Sequence, residues 1–419
     1  MNSPDDVVSN TSKIVTECQA CGCKDLQSAL FVGYMPPVNQ MRPVGKRLGE
    51  QPAYPAEVLV CPECHLVQLG LVVDPKILFA PDYPYTSGTT KILHDNFDDL
   101  ARESSEMLNL KSTDLVVDIG SNDGTLLSKF KKRGFKVLGI EPTDAGDIAN
   151  AMGIRTEKGF FGEATGKDTA ARHGKAAIVT CANCFAHIDD VHAVVRGVVE
   201  LLDEKGVFIN ESHYLVPFLD DLQYDTIYHE HLRYYSLTAQ KALFEPHGLE
   251  ITHARPIQSH GGSIRVYACR KGKRSALPSV ERILTEESAR GPWEAQLAAF
   301  RKRVVASKLN LHALLAQLKT GGKRIVGIGA PSRASTMITY VGLNEEIIEA
   351  VGEVPGSRKI DRYMPGTLIP VRDEAQLLAS QPDVALIFSW HIADELMPKL
   401  RQRGFKGQFL IPLPEPRLV

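Results

Sequence analysis

The run LVVDIGSNDGTLLSKF at 115–130 constrains this chain more than any other stretch. An apolar segment, LVVDI, meets a turn holding Gly120 and Gly124, and a helix-like apolar pattern follows. Further apolar runs come after it: KVLGIEP (136–142), AAIVTCANC (176–184) and GVFINESH (206–213). Helical stretches such as VHAVVRGVVELLDEKG (191–206) separate them. Strands alternating with helices predict an α/β fold, a parallel sheet with helices on both faces.

The turn does not read G-x-G-x-x-G, the dinucleotide signature. It fits the looser D/E-x-G-x-x-x-G turn of class I S-adenosylmethionine (SAM) methyltransferases, with Asp118, Gly120, Ser121, Asn122, Asp123 and Gly124 as cofactor-binding residues. Gly120 lets the backbone approach the ligand, and Asp118 or Asp123 can hold its cationic aminoacyl end. As an alternative, Asp118 caps the next helix. Glu141 ends the second strand, 21 residues after Gly120, where an acid meets ribose hydroxyls. Pro142 and Asn183 are placed on the same cofactor cleft.

CQAC (18–21) and CPEC (61–64) are two Cys-x-x-Cys knuckles. Four thiolates, Cys18, Cys21, Cys61 and Cys64, suit a tetrahedral, structural zinc ion with no open position for water. The Gly- and Pro-rich segment between them cannot build a large core, so a metal staple makes sense. Cys23 and His65 are spare ligand candidates, and Cys181 and Cys184 read as small residues packed beside a ligand.

A length of 419 residues exceeds one ordinary domain. The boundaries predicted are 1–75 (zinc-binding), 76–270 (methyltransferase) and 271–419 (a second, smaller Rossmann-like α/β domain for the substrate). A net charge of −2 offers no basic field for nucleic acid and no polybasic tail for a membrane. The opening MNSPDDVVSN lacks signal-peptide features, which predicts a cytoplasmic protein.

YDTIYHEHLRYYSL (224–237) crowds tyrosines, histidines and a glutamate just beyond a strand end. In an open α/β sheet that position covers the ligand crevice. Histidine is the side chain nearest to being a base at neutral pH, and tyrosine can donate to an oxyanion. Tyr228 and His231 share a face if the turn is helical; convergence of Glu230 with them requires an irregular loop.

Together CPECHLVQL, FAPDYPYTSGTTKILHDNF, DIGSNDGTLL, ANCFAHI, YHEH, GGSIRVY, GIGAP and YMPGTLIPV occur in an order that resembles the three-part C-methyltransferases of deoxysugar and antibiotic biosynthesis. The resemblance runs from about residue 18 to the end. It implies a zinc-binding domain, a SAM domain and a C-terminal nucleotide-fold domain acting on a nucleotide-linked, dTDP-type, keto-deoxysugar. It implies His231 as the base, assisted by Tyr228 and Glu230, with His187 lining the site and Tyr83 or Tyr85 reaching in. Ser263, Arg265, Ser332, Arg333 and Lys359 are assigned to the substrate, with Arg333 at the GIGAP turn as a phosphate ligand. The family pattern A-K-G-N-T is Ser332-Arg333-Ala334-Ser335-Thr336 here, and W-N is Trp390-His391. EVPGSRKID stands where the family commonly has D-x-N-P-x-K-Q-G. These departures leave the nucleotide, the ring position and the carrier open.

Methyl transfer to oxygen or nitrogen, a nicotinamide oxidoreductase and a zinc-stapled scaffold compete with this reading. Against the oxidoreductase, GIGAP lacks a third glycine and no acid-tipped strand is evident soon after it. Oligomeric state is not legible; a monomer is compatible with everything above. Residues 281–318 are expected to form one long amphipathic helix.

Overall fold

The structure, a computed structural model, describes residues 12–47, 49–79, 88 and 91–419. Its N-terminal part is a small antiparallel sheet of β1 (Gln27–Met35), β2 (Tyr54–Val60) and β3 (Val67–Leu69). The two cysteine knuckles repeat one turn. Cys18 N–H donates to Cys23 O and Gly22 N–H to Cys18 O; Cys61 N–H donates to Leu66 O and His65 N–H to Cys61 O. The fifth residue of each, Gly22 and His65, has positive φ (77° and 61°). Cys23 and Leu66 are therefore equivalent, and Cys23 and His65 serve the turns rather than the metal.

The central sheet contains β4 (Leu115–Ile119), β5 (Lys136–Glu141), β6 (Thr156–Lys158), β7 (Ala176–Ala182), β8 (Leu202–His213), β10 (Leu249–Ile257) and β11 (Ser263–Arg270). The intervening two-residue strand β9 (Arg233–Tyr234) leaves this sheet and pairs with β3, Arg233 opposite Gln68 and Tyr234 opposite Val67. The seven strands lie in the order β10-β11-β8-β7-β4-β5-β6. Pairs from β8 to β6 are parallel, and β11 is antiparallel to both its neighbours. Alternation explains the two covered faces. Val117 and Ile119 join one core with Leu138, Val179 and Phe208, while Val116 joins the opposite core with Ile178, Ile209 and Phe130. The chain reverses its winding between β4 and β7, and ligands of such sheets bind at this switch point.

The C-terminal sheet holds β12 (Ile325–Ile328), β13 (Val351–Glu353), β14 (Val371–Asp373), β15 (Val384–Ile387), β16 (Gln408–Ile411) and β17 (Arg417–Leu418), ordered β14-β13-β12-β15-β16-β17. All its pairs are parallel except the last. This second α/β sheet was expected, but the absence of an acid-tipped second strand was not correct: β13 ends in Glu353. The long helix also differs from expectation. It is two helices, Pro278–Ala289 and Trp293–Thr320, because Gly291-Pro292 interrupts the hydrogen-bond ladder. The expected boundaries do not separate independent cores. Val58 and Val67, Phe218 and Tyr234, Phe300, and Ile325 and Leu386 share one apolar cluster. Among the described residues no helix is long and apolar enough to cross a membrane.

Candidate active site

A cavity of about 360 Å³ opens beyond the ends of β4, β5 and β7. Gly120, Asn122, Glu141, Pro142, Asn183 and His187 line it. The turn is built for close approach. Gly120 has φ 66°, and a Cβ there would lie 2.8 Å from the Cys184 sulfur. Asn122 and Asn183 take the left-handed region as well, at φ 49° and 59°. Such conformations in non-glycine residues concentrate at functional sites. Glu141 organises the wall: Asn122 N–H donates to one carboxylate oxygen at 2.9 Å, and Thr143 donates to the other through N–H (2.9 Å) and hydroxyl (2.6 Å). The Asn183 Nδ2 donor is buried and unpartnered among the described residues. Cys184 lines the cavity, while Cys181 lies behind it, its sulfur 2.8 Å from that of Cys184. Packing beside the cleft was the expectation for both.

Other expected cofactor residues support the turn from behind. Asp118 is buried and accepts a hydrogen bond from Thr180 Oγ1 at 2.6 Å, and burial pushes its carboxyl up to about 7. It does not line the cavity and does not cap the following helix. Asp123, one residue before the Gly124 N-cap, accepts from Thr125 N–H at 3.1 Å and from Gly88 N–H at 2.7 Å. Its place as a binder of the aminoacyl group is corrected accordingly: both oxygens face backbone donors. Ser121 is buried under Gly139, and Gly124 starts the helix Thr125–Lys132 with φ 75°. Missed by sequence reasoning were Phe79, Phe97, Phe160 and Phe161, the phenylalanines that line the cavity. Phe160 is 64% exposed at the rim, an exposure that flags an aromatic waiting for a flat partner.

His187 joins this cavity to the histidine-tyrosine loop. Its ring stacks on His231 with centroids 5.1 Å apart, and on Phe79 at 6.0 Å. His231 Nδ1 lies 2.9 Å from the carbonyl oxygen of Thr226. A carbonyl only accepts, so Nδ1 carries the proton and Nε2 keeps its lone pair. That Nε2 accepts from the Tyr228 hydroxyl at 3.0 Å. Burial and the neighbouring His187 and His213 hold His231 well below the ordinary histidine range, so its ring is neutral. The loop is irregular, as convergence required: a single 3-10 turn at Tyr224–Thr226, then His231 N–H donating to Tyr228 O. The Thr226 carbonyl, not the Glu230 carboxylate, thus sets the tautomer of His231.

Glu230 points towards the junction of all three parts. It accepts from Asn39 Nδ2 (2.8 Å), and the same amide donates to Ser332 Oγ at 3.1 Å. Lys359 lies beside Glu230 and Glu353 and donates to Ala330 O at 2.6 Å; burial lowers its pKa against the pull of those carboxylates. Tyr83 and Tyr85 fall outside the described residues.

Three expected substrate residues are corrected. Arg265 is fully buried and ion-paired to Glu211 (2.5 Å) and Glu103 (2.7 Å), so it has no face for a ligand. Ser263 is buried and donates to Ser259 O at 3.0 Å. Arg333 is no free phosphate ligand. Its guanidinium grips Asp225 through two nitrogens (3.0 and 2.9 Å), donates to His391 Nδ1 (2.7 Å) and lies over the Trp390 ring (5.0 Å). Trp390 Nε1 donates to Oδ2 of the same carboxylate at 2.7 Å.

The four knuckle sulfurs lie within 4.8 Å of one another, with Cys18–Cys64 at 3.4 Å and Cys21–Cys61 at 3.5 Å. Tetrahedral zinc with Zn–S near 2.3 Å separates sulfurs by roughly 3.8 Å, so the set fits a closed structural site.

A glycine turn, a second-strand acid and a cavity at the switch point define a SAM-dependent methyltransferase of class I. Family models agree: "Methyltransferase domain" matches residues 92–254, "C-methyltransferase C-terminal domain" 258–414 and "Putative zinc binding domain" 18–79. The chain is 32% identical over 414 residues to C-methyltransferase NovU of Streptomyces niveus, covering 97% of each. It belongs to this family of three-part C-methyltransferases. Among solved structures, the PH0226 protein of Pyrococcus horikoshii OT3 is 14% identical, covering 48% of this chain and 97% of that one, with a TM-score of 0.36. A SAM-dependent methyltransferase of Clostridium acetobutylicum ATCC 824 is 15% identical (43% and 92% covered, TM-score 0.33). The fold assignment stands on strand order rather than on these likenesses.

Proposed function

We propose that this enzyme methylates the carbon beside the ketone of a nucleotide-linked keto-deoxysugar, dTDP-linked in the simplest case. The observation that carries the reading is the stack from cavity to base: His187 on the cavity wall, then the neutral, Nδ1-protonated His231 against it. The cofactor supplies an electrophilic methyl group on a sulfonium, held by Gly120, Asn122, Glu141, Pro142 and Asn183. Nε2 of His231 takes the proton from the carbon next to the ketone. The Tyr228 hydroxyl moves from Nε2 to the ketone oxygen and donates to it as the charge of the enolate develops. His187 lines the cavity beside the path between the two reactants and shields the His231 ring from water. Fixing both in register supplies much of the acceleration. Asn39, Glu230, Ser332 and Lys359 face the carrier, with the Lys359 ammonium for the diphosphate. The family-model name of the C-terminal part and the printed name of the Streptomyces relative support carbon as the acceptor.

Mass spectrometry of dTDP-4-keto-6-deoxysugars incubated in D₂O tests this. Deuterium uptake next to the ketone without SAM, and a methyl gain with it, is the expected result. A methyl gain on oxygen or nitrogen would overturn it.

A further inference from the structure

Two shielded imidazole nitrogens beside the base have no protein partner among the described residues: His213 Nδ1 and His260 Nε2. His213 closes β8, and its ring centroid lies 5.6 Å from that of His231. Its Nε2 is 2.8 Å from the carbonyl oxygen of His260. That carbonyl can only accept, so the ring proton of His213 sits on Nε2. Burial, and then the charge of Arg333, hold His213 down to about 3, so Nδ1 bears no proton at neutral pH. It is a bare acceptor. Buried acceptors are rarely left so, because an unmade bond costs free energy.

The surrounding loop fixes this geometry. His260 sits at φ 53°, a left-handed conformation that aims its carbonyl at His213. Gln223 Nε2 holds the next carbonyl, Gly261 O, at 2.5 Å. Side chains are excluded beyond it: a Cβ at Gly261 would lie 2.8 Å from Gln223, and one at Gly262 2.6 Å from Pro217. Strain held by its surroundings marks pre-organisation. His187, His213, His231 and His260 are each intermediate in burial, and the rings of His187 and His213 both lie against that of His231.

We infer that His213 Nδ1 accepts a hydrogen bond from a substrate hydroxyl on or beside the reacting carbon, and so determines which sugars are methylated. This rests on the keto-sugar reading above. The donor is a hydroxyl rather than an ammonium, because the Arg333 charge already bears on His213, His260 and His391 and would repel a second cation.

The test compares dTDP-4-keto-6-deoxyglucose with analogues lacking the 2- or the 3-hydroxyl, on wild type, His213→Leu and His213→Asn. In wild type one deletion raises KM roughly tenfold or more. His213→Leu raises KM as much for the hydroxylated sugar and adds nothing for that analogue. His213→Asn, whose amide oxygen falls near the Nδ1 position, restores most of the preference. SAM affinity stays constant across the set. Equal penalties from His213→Leu on all sugars, or none, overturn the inference. If His213→Leu loses SAM affinity, His213→Asn decides alone: a retained hydroxyl preference supports the inference and a lost one overturns it. A wild type that methylates no sugar of the panel overturns the substrate reading and this inference with it; one that methylates all of them alike overturns only the inference.

Discussion

The chain carries two nucleotide-type folds with the same opening device. In the central domain Glu141, at the tip of the second strand, accepts from a glycine-turn N–H (Asn122) at 2.9 Å. In the C-terminal domain Glu353, at the tip of its second strand, accepts from a glycine-turn N–H (Ala330), also at 2.9 Å. Beyond the first turn lies a cavity. Beyond the second, the helix Ser332–Val341 packs onto the histidine-tyrosine loop: Arg333 grips Asp225, and Thr336 Oγ1 donates to Ile227 O at 3.2 Å. One architecture serves as a binding site in one place and as a buttress in the other. What separates them is the first turn of the helix: in the C-terminal domain its buried residues have their partners in the neighbouring domain.

Removing the metal should have the largest effect, because it acts on the part that braces both folds. A strong chelator should unfold the N-terminal part, a loss of about 10 kcal/mol or more of metal-linked folding energy, read by calorimetry. Reversible inhibition without unfolding would argue for a chemical role of the metal. Next comes the buttress. Asp225→Ala strands Arg333 in a buried site and should cost about 3–5 kcal/mol in urea denaturation; a cost below about 1 kcal/mol would mean the pair contributes little to docking. The pair of acids then tests the comparison directly. Glu141→Ala should weaken SAM binding by about tenfold, one hydrogen-bonded group's worth. Glu353→Ala should leave SAM affinity unchanged in the same titration. Similar losses from both would erase the distinction. The smallest effect near neutrality is that of pH. His187, His213 and His260 are held down to about 4, 3 and 4, chiefly by burial, so each binds a proton more readily when unfolded. Stability is thus at its full value above about pH 6.5 and falls as pH drops towards 4, with a slope of up to about 1.4 kcal/mol per pH unit for each histidine. A stability flat from pH 7 to 4 would contradict their neutral, buried state.

The central sheet was legible because β4, β5 and β7 are largely apolar runs, the mark of strands covered on both faces. The knuckles were legible from spacing alone. The second acid was not: β13 is only Val351–Glu353, too short to show a pattern. Arg265 and Arg333 misled because a sequence displays charge without showing its partner; Glu211 and Asp225 lie 54 and 108 positions away. His213 and His260 went unread for a similar reason, since a bare acceptor is defined by where the other ring nitrogen points. The GG of SHGGSI was the available signal, a turn too tight for side chains.

The small strand β9 has a consequence for how the protein is made. Val67 waits for Tyr234, which is polymerised 167 residues later. At ordinary translation speeds that is a delay of roughly 10–30 s. Throughout it the edge Val67–Leu69 is an open template for any passing chain. The first module to leave the ribosome is thus finished only by the histidine-tyrosine segment, and a polypeptide arrested before Tyr234 would leave that edge open.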